Sequence, residues 1–78
     1  MNTQINEILI CNLRRLRHKH RYSQQDIAAV LSISQPSYNR IESGKTELRL
    51  AFIYKLARFY NVFIDDLLEN NAGRLSHT

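Results

Sequence analysis

The chain has 78 residues, which is enough for one domain and close to the size below which a core alone rarely keeps a chain folded. Two glycines and one proline are too few for the many turns of an all-β fold and favour a helical domain. The net charge of +4 makes this domain basic. One cysteine excludes an internal disulfide, and no apolar run approaches the roughly 18 residues of a membrane span. We therefore expect an all-α cytoplasmic protein without a signal peptide or a membrane partner.

The positive charge is concentrated in the first two thirds of the chain. Residues 1–49 carry eight Lys and Arg against four Asp and Glu, whereas residues 50–78 carry three of each. The basic run from Arg14 to Arg21 contains no acidic residue. Such a one-sided basic surface indicates a polyanionic partner, with nucleic acid ahead of a membrane surface, but a merely solvated basic helix fits equally well.

Two helices are predicted in the first third. The first runs from about Thr3 to His20, because apolar residues recur there at helical spacing: Ile5, Ile8, Leu9, Leu13 and Leu16. The second is about eight residues long and begins after Ser23, which is a good N-cap residue. Its apolar side consists of Ile27, Ala28 and Leu31.

Three more helices follow. Ser34 caps the third, Pro36 falls at its second position, where a missing N–H costs nothing, and Gly44 ends it. The fourth helix, beginning near position 50, has a predicted inner face of Leu50, Ile53, Leu56, Ala57 and Tyr60. The fifth covers roughly 64–69, with Leu67 and Leu68 pointing inward.

The third helix has an unusual polar face. On a helical wheel, one side carries Gln35, Pro36, Asn39, Arg40 and Ser43, and the opposite side carries Ser37, Tyr38 and Ile41. Gln and Asn amides can pair with the edge of adenine, and Arg can pair with guanine or a phosphate. Taken alone, such a face is more often simply solvated, so its meaning depends on its neighbours.

Two short helices joined by a tight turn beside a basic helix are typical of a helix-turn-helix. The residues that carry a closer resemblance are L-R-R-L-R from Leu13, S-Q-Q-D-I-A from Ser23 and Y-N-R-I-E-S-G-K-T from Tyr38. They make the chain similar to the Cro and phage-repressor (XRE) family. The resemblance implies a compact five-helix, lambda-repressor-like domain with the helix-turn-helix at about 24–43. We place this domain at residues 1–70 and, because the last residues are polar, expect a flexible tail at 71–78. It also implies a bacterial or phage protein that binds a near-palindromic operator in double-stranded DNA as a homodimer.

The resemblance also implies roles for individual residues. Base contacts would come from Gln35, Asn39 and Arg40, while Pro36 would at best touch a thymine methyl or a sugar. Phosphate contacts would come from Gln24, Lys45, Thr46, Ser43, Arg14 and Tyr38. For Tyr38 a mainly structural role is the alternative, with its ring packed in the core. Arg17 and Glu42 match a salt bridge between helices one and three, and Ser37 would face inward where helix two approaches.

Two positions depart from the family pattern. Leu48-Arg49 and Phe63 occupy places where relatives usually carry the N-capping residues of helices four and five. One hypothesis is that a second subunit covers Phe63 together with Leu68. The alternative is that Phe63 packs under helix four.

An enzyme is not expected, because the sequence has no glycine-rich phosphate loop and no Cys/His set at metal-ligand spacing, and we expect no cofactor and no metal. The competing function is a protein-interaction module, either an adaptor or an antitoxin that holds a toxin. Among DNA-binding regulators, a phage-type repressor, a restriction-modification controller and an antitoxin all fit.

Overall fold

The structure, a computed structural model, describes residues 3–69. These residues form α1 (Thr3–Lys19), α2 (Gln24–Leu31), α3 (Gln35–Glu42), α4 (Leu50–Tyr60) and α5 (Ile64–Leu68). Within this range there is no strand, and no helix has the length and apolar character needed to cross a bilayer. The predicted all-α class with five helices is confirmed. The tail predicted at 71–78 lies outside the described residues.

Local hydrogen bonds fix the turn between α2 and α3. The α2 N-terminus has a full capping box, since the Asp26 N–H donates to Ser23 Oγ at 3.0 Å and the Ser23 N–H donates to Asp26 Oδ2 at 2.8 Å. Ser32 ends α2 in the left-handed region with φ 58°, and Ser34 Oγ caps α3 by accepting the Ser37 N–H at 3.2 Å. Both helix ends at this turn are therefore satisfied by hydrogen bonds from residues close by in the sequence.

All five helices contribute to one core. The buried side chains are Leu9, Leu13, Leu16, Ile27, Ala28, Leu31, Tyr38, Ile41, Leu48, Ile53, Leu56, Ala57, Tyr60 and Leu67. Fully burying one Leu or Ile is worth about 1.5–3 kcal/mol, so these contacts compensate for the low intrinsic stability of helices as short as α2, α3 and α5. The core therefore holds in place helices that would not form alone.

Three side chains predicted to face inward are exposed. Leu50 is 72% exposed, because it is the first residue of α4 and lies beside the face that is centred on the buried Ile53. Leu48, in the connector before α4, is buried in the core instead. Ser37 is exposed and does not pack in the core. Its hydroxyl accepts a hydrogen bond from Ser34 Oγ at 2.8 Å. In α5 only Leu67 is buried, and Leu68 is half-exposed.

Phe63 is not packed under α4. Its side chain is 79% exposed, which contradicts the alternative that it serves as an internal staple. The α5 N-terminus is capped by one weak contact only, from the Phe63 N–H to Asp66 Oδ2 at 3.4 Å, and Arg49 makes no side-chain cap on α4. As predicted, neither α4 nor α5 begins with a capping hydrogen bond to the side chain of its N-cap residue.

Asn12 ties α5 to the first helix. Its side chain is buried, and Nδ2 donates to the Leu67 carbonyl at 2.8 Å and to the Glu69 carbonyl at 3.0 Å. These are orphan carbonyls at the C-terminal end of α5, so one amide satisfies acceptors that the short helix cannot satisfy itself. The sequence pattern gave no indication of this role.

We expect Asn12→Ala to destabilise the protein by about 1–3 kcal/mol, because it leaves buried carbonyls without a donor. Urea denaturation followed by circular dichroism measures this change. Gln25→Ala, at an exposed position of α2, is the control and should stay within about 0.5 kcal/mol of the wild type. Equal stabilities for Asn12→Ala and the control would show that the amide does not hold α5.

Candidate nucleic-acid interface

The outer face of α3 is polar and carries no exposed carboxylate. Gln35, Pro36, Asn39 and Arg40 are all exposed along it. The only acidic residue of the helix, Glu42, is buried. An anionic ligand approaching this face would therefore meet amides and a guanidinium without electrostatic repulsion from α3.

The Glu42 carboxylate is the centre of a buried cluster that joins three helices. Arg17 of α1 binds it with two donors, Nε to Oε2 at 2.7 Å and Nη2 to Oε1 at 3.1 Å. Gln24 of α2 donates Nε2 to Oε1 at 3.0 Å, and the Tyr38 hydroxyl donates from within α3. We call Arg17, Gln24, Tyr38 and Glu42 the Glu42 cluster. It fixes α3 relative to both other helices.

The cluster keeps Glu42 ionised. Burial by itself would raise the pKa of Glu42, but the hydrogen bonds from Arg17, Gln24 and Tyr38, in that order, together with the Arg17 charge, bring it below its ordinary value. The hydrogen bond to Glu42 raises the pKa of Arg17 against the opposing effect of burial. Both partners of the salt bridge are therefore charged across the physiological range.

The cluster extends to the outer face of α3 through Gln24. Gln24 Nε2 points at the buried Glu42 carboxylate, whereas Gln24 Oε1 points towards the exposed side of α3. There it accepts hydrogen bonds from two side chains. Gln35 Nε2 donates to it at 2.9 Å and Asn39 Nδ2 donates to it at 3.1 Å. Gln24 is predicted to contact a phosphate, and in the structure its side chain supports the two amides that are predicted to contact bases.

Arg14 and Tyr38 both make hydrogen bonds within the protein. Arg14 Nη2 donates to the backbone carbonyl of Glu42 at 2.6 Å, so it caps the C-terminal end of α3, although half of its side chain remains exposed. Tyr38 is 1% exposed and its hydroxyl is bound to Glu42. The predicted phosphate contact from Tyr38 is therefore corrected: its role is in the core and the Glu42 cluster.

The segment after α3 brings more polar groups to the same side. Gly44, with φ 81°, reverses the chain in a conformation that residues with a side chain rarely adopt. The backbone N–H groups of Lys45 and Thr46 then both donate to the Arg40 carbonyl, at 2.9 and 3.2 Å. Both side chains are exposed, as is that of Ser43, so all three lie at the C-terminal end of the α3 face.

A cleft beside α3 contains Arg49, a basic residue for which no ligand contact is predicted from the sequence. The cleft has a volume of about 320 Å³, and its lining includes Arg40 of α3, Thr46 and Glu47 from the segment after it, and Arg49 and Phe52 at the start of α4. The Arg49 guanidinium lies 5.8 Å from the centre of the Phe52 ring. The family pattern predicts only a missing cap at Arg49, whereas its basic side chain and its place after Thr46 are the signals in the sequence that indicate a position beside α3.

Comparisons with known proteins agree with this geometry. The family model described as Helix-turn-helix (HTH_3) matches residues 13–67. An uncharacterized HTH-type transcriptional regulator of Methanocaldococcus jannaschii is 34% identical over 55 residues, which cover 70% of this chain and 83% of the relative. No solved structure matches. The chain belongs to the Cro and phage-repressor type (XRE) of helix-turn-helix proteins.

This membership supports DNA binding and transcription regulation ahead of an enzymatic role. The matched range spans α2, α3 and α4 in full, most of α5 and the C-terminal part of α1 from residue 13, so it includes the whole Glu42 cluster. The cluster and the exposed α3 face thus lie inside the segment that defines the family.

The Glu42 cluster predicts a specific pH dependence of stability. Because the folded-state pKa of Glu42 lies below its ordinary value of 4.5, its contribution is complete above that value and is lost as pH falls through the folded-state pKa. We expect Glu42→Gln to be less stable than the wild type near neutral pH and to lose less stability on acidification. Urea denaturation at about pH 7, 5 and 3 measures both curves. Parallel curves for the two proteins would contradict the assignment.

Proposed function

We propose that this protein is a sequence-specific transcriptional repressor that places α3 in the major groove of a near-palindromic operator and binds it as a homodimer. The observation that carries the proposal is the outer face of α3, where two amides and a guanidinium are exposed without a carboxylate. A protruding helix with this chemistry matches the size and the hydrogen-bonding pattern of the major groove.

Gln35 and Asn39 are suited to read bases because their amides are already oriented. Each donates one hydrogen to Gln24 Oε1, which leaves a second N–H and the carbonyl oxygen available. One donor and one acceptor side by side are what the major-groove edge of adenine requires. Since the amides do not need to be ordered on binding, the entropic cost of recognition is reduced. Arg40 next to them can pair with guanine, and Pro36 offers only an apolar contact to a thymine methyl.

The proposed phosphate contacts surround this face. Lys45, Thr46 and Ser43 lie past the C-terminal end of α3, and Gln24 lies at the N-terminal end of α2. The exposed half of Arg14 adds a further positive charge at the end of α3. Phosphate contacts on both sides of a groove-binding helix fix its register without reading sequence.

Two copies on one operator would double the contacts and give the site its two-fold symmetry. A dimer bound across an operator occupies the groove and excludes other proteins from it, which is the simplest way in which a small domain represses transcription. Phe63 lies in the connector between α4 and α5 and is largely exposed, so it is available for contact with such a second copy.

Selection from a random DNA pool, followed by titration of the selected duplex, tests the proposal. We expect Gln35→Ala to lose about 1–3 kcal/mol and to relax preference at one base pair in each half-site, because one pair of base contacts disappears. Lys45→Ala should weaken all sequences alike and reduce the salt dependence by about one phosphate contact. Gln25→Ala, an exposed glutamine on α2 outside the amide network, is the matched control.

Two results would count against the proposal. Unchanged sequence preference in Gln35→Ala would remove the base-reading assignment. If the wild type binds no duplex more tightly than random DNA, the repressor function fails and the protein-interaction module becomes the better account.

A further inference from the structure

The exposed face of α3 consists of two rows of side chains with different chemistry. With Gln35 as the reference on a helical wheel, Asn39 falls at about 40°. Both of these amides donate to Gln24 Oε1, so their row lies on the side of α2. Pro36 and Arg40 fall at about 100° and 140° and form a second row, farther from α2, which we call the Pro36–Arg40 row.

Pro36 is an exposed apolar group on an otherwise polar face. It lies in the first turn of α3, and the first turn of a recognition helix is the part that contacts base edges. Among the groups that base pairs present in the major groove, only the methyl group on C5 of thymine is apolar. A polar base edge placed against the proline ring loses its hydrogen bond to water and gains none in return. Pro36 therefore favours a pyrimidine that carries a methyl group.

Arg40 is the charged group of the row, and it is exposed. Within residues 3–69 its guanidinium has no hydrogen-bond or ion-pair partner, whereas those of Arg14 and Arg17 are both bound by Glu42. Its N–H donors are therefore available for the O6 and N7 atoms of guanine, which arginine binds in bidentate fashion.

The two residues of the row are placed to contact neighbouring base pairs. They are four positions apart in α3, and hence about 6 Å apart along the helix axis. Side chains on a helix lean towards its N-terminus, so the long Arg40 side chain covers part of this distance in the direction of Pro36. The separation that remains matches the spacing of about 3.4 Å between successive base pairs.

We infer that the Pro36–Arg40 row reads a methylated pyrimidine beside a guanine in each half-site, and that affinity depends on the methyl group itself. This inference rests on the proposed function and adds a base step and a chemical group to it. Thymine and 5-methylcytosine carry the methyl group at the same ring position, so both satisfy Pro36, whereas uracil and cytosine lack it. Binding at this step therefore responds to the methylation of cytosine in DNA.

Selection from a random DNA pool with two variants locates the base step. Pro36→Ser should lose the preference for thymine at one base pair, and Arg40→Ala should lose the preference for guanine at the base pair next to it, because each variant removes one contact of the row. Gln25→Ala, at an exposed position of α2, should select the same site as the wild type. Circular dichroism checks that each variant is folded.

Duplexes that differ only at the pyrimidine of this step, in one half-site, measure the contribution of the methyl group. Fluorescence anisotropy at one salt concentration gives each Kd. We expect uracil to bind about fourfold more weakly than thymine, and cytosine about fourfold more weakly than 5-methylcytosine, because one buried methyl group is lost in each case. Agreement between the two ratios separates the methyl group from the rest of the base. Both ratios should fall to about one in Pro36→Ser and stay near fourfold in Arg40→Ala.

Uracil in place of a thymine outside this step is the matched DNA control and should leave Kd unchanged. The inference is overturned if no guanine neighbours the base pair that depends on Pro36, or if the wild type binds the uracil and thymine duplexes equally well. In either case a wild type that still prefers its selected operator keeps the proposed function. A wild type that binds no duplex more tightly than random DNA refutes both.

Discussion

The Glu42 carboxylate is the interaction on which the rest of the structure depends. An ionised group in this buried position is tolerated only when donors satisfy it, and here Arg17, Gln24 and Tyr38 do so from α1, α2 and α3. Losing one donor would leave a buried charge undercompensated, so the three helices are held to a single relative arrangement. In a domain this small, where helix propensity alone is insufficient, such a constraint defines the angle at which α3 protrudes.

Stability and recognition share atoms in this arrangement. Gln24 uses its amide hydrogen for the buried carboxylate and its carbonyl oxygen for Gln35 and Asn39. The exposed amides therefore inherit their orientation from the core, as a supporting shell should provide for a binding site. Changes at Arg17 or Glu42 would alter the orientation of the exposed amides of α3 without touching them, and their effects should not add to those of Gln35 or Asn39.

The fold also keeps its two candidate interaction surfaces apart. Polar groups with a positive balance gather on α3 and the segment after it, whereas apolar groups gather on the outward side of α4 and its connector to α5. The missing side-chain caps of α4 and α5 are consistent with this division, because Arg49 and Phe63 stand at the edges of the two surfaces instead of stabilising helix ends.

The sequence by itself determined the helices, their capping residues and the exposed face of α3. These features follow from helical periodicity and from side chains that bond to backbone only a few positions away, as at Ser23, Ser34 and Gly44. Only the tertiary structure decided the rest: the partners of Gln24, the burial of Tyr38, the capping of α5 by Asn12 and the choice of Leu48 over Leu50 for the core. Each of these depends on which groups, often more than ten positions apart in the chain, compete for one place or one donor. Periodicity carries no information about that competition, because packing between helices settles it.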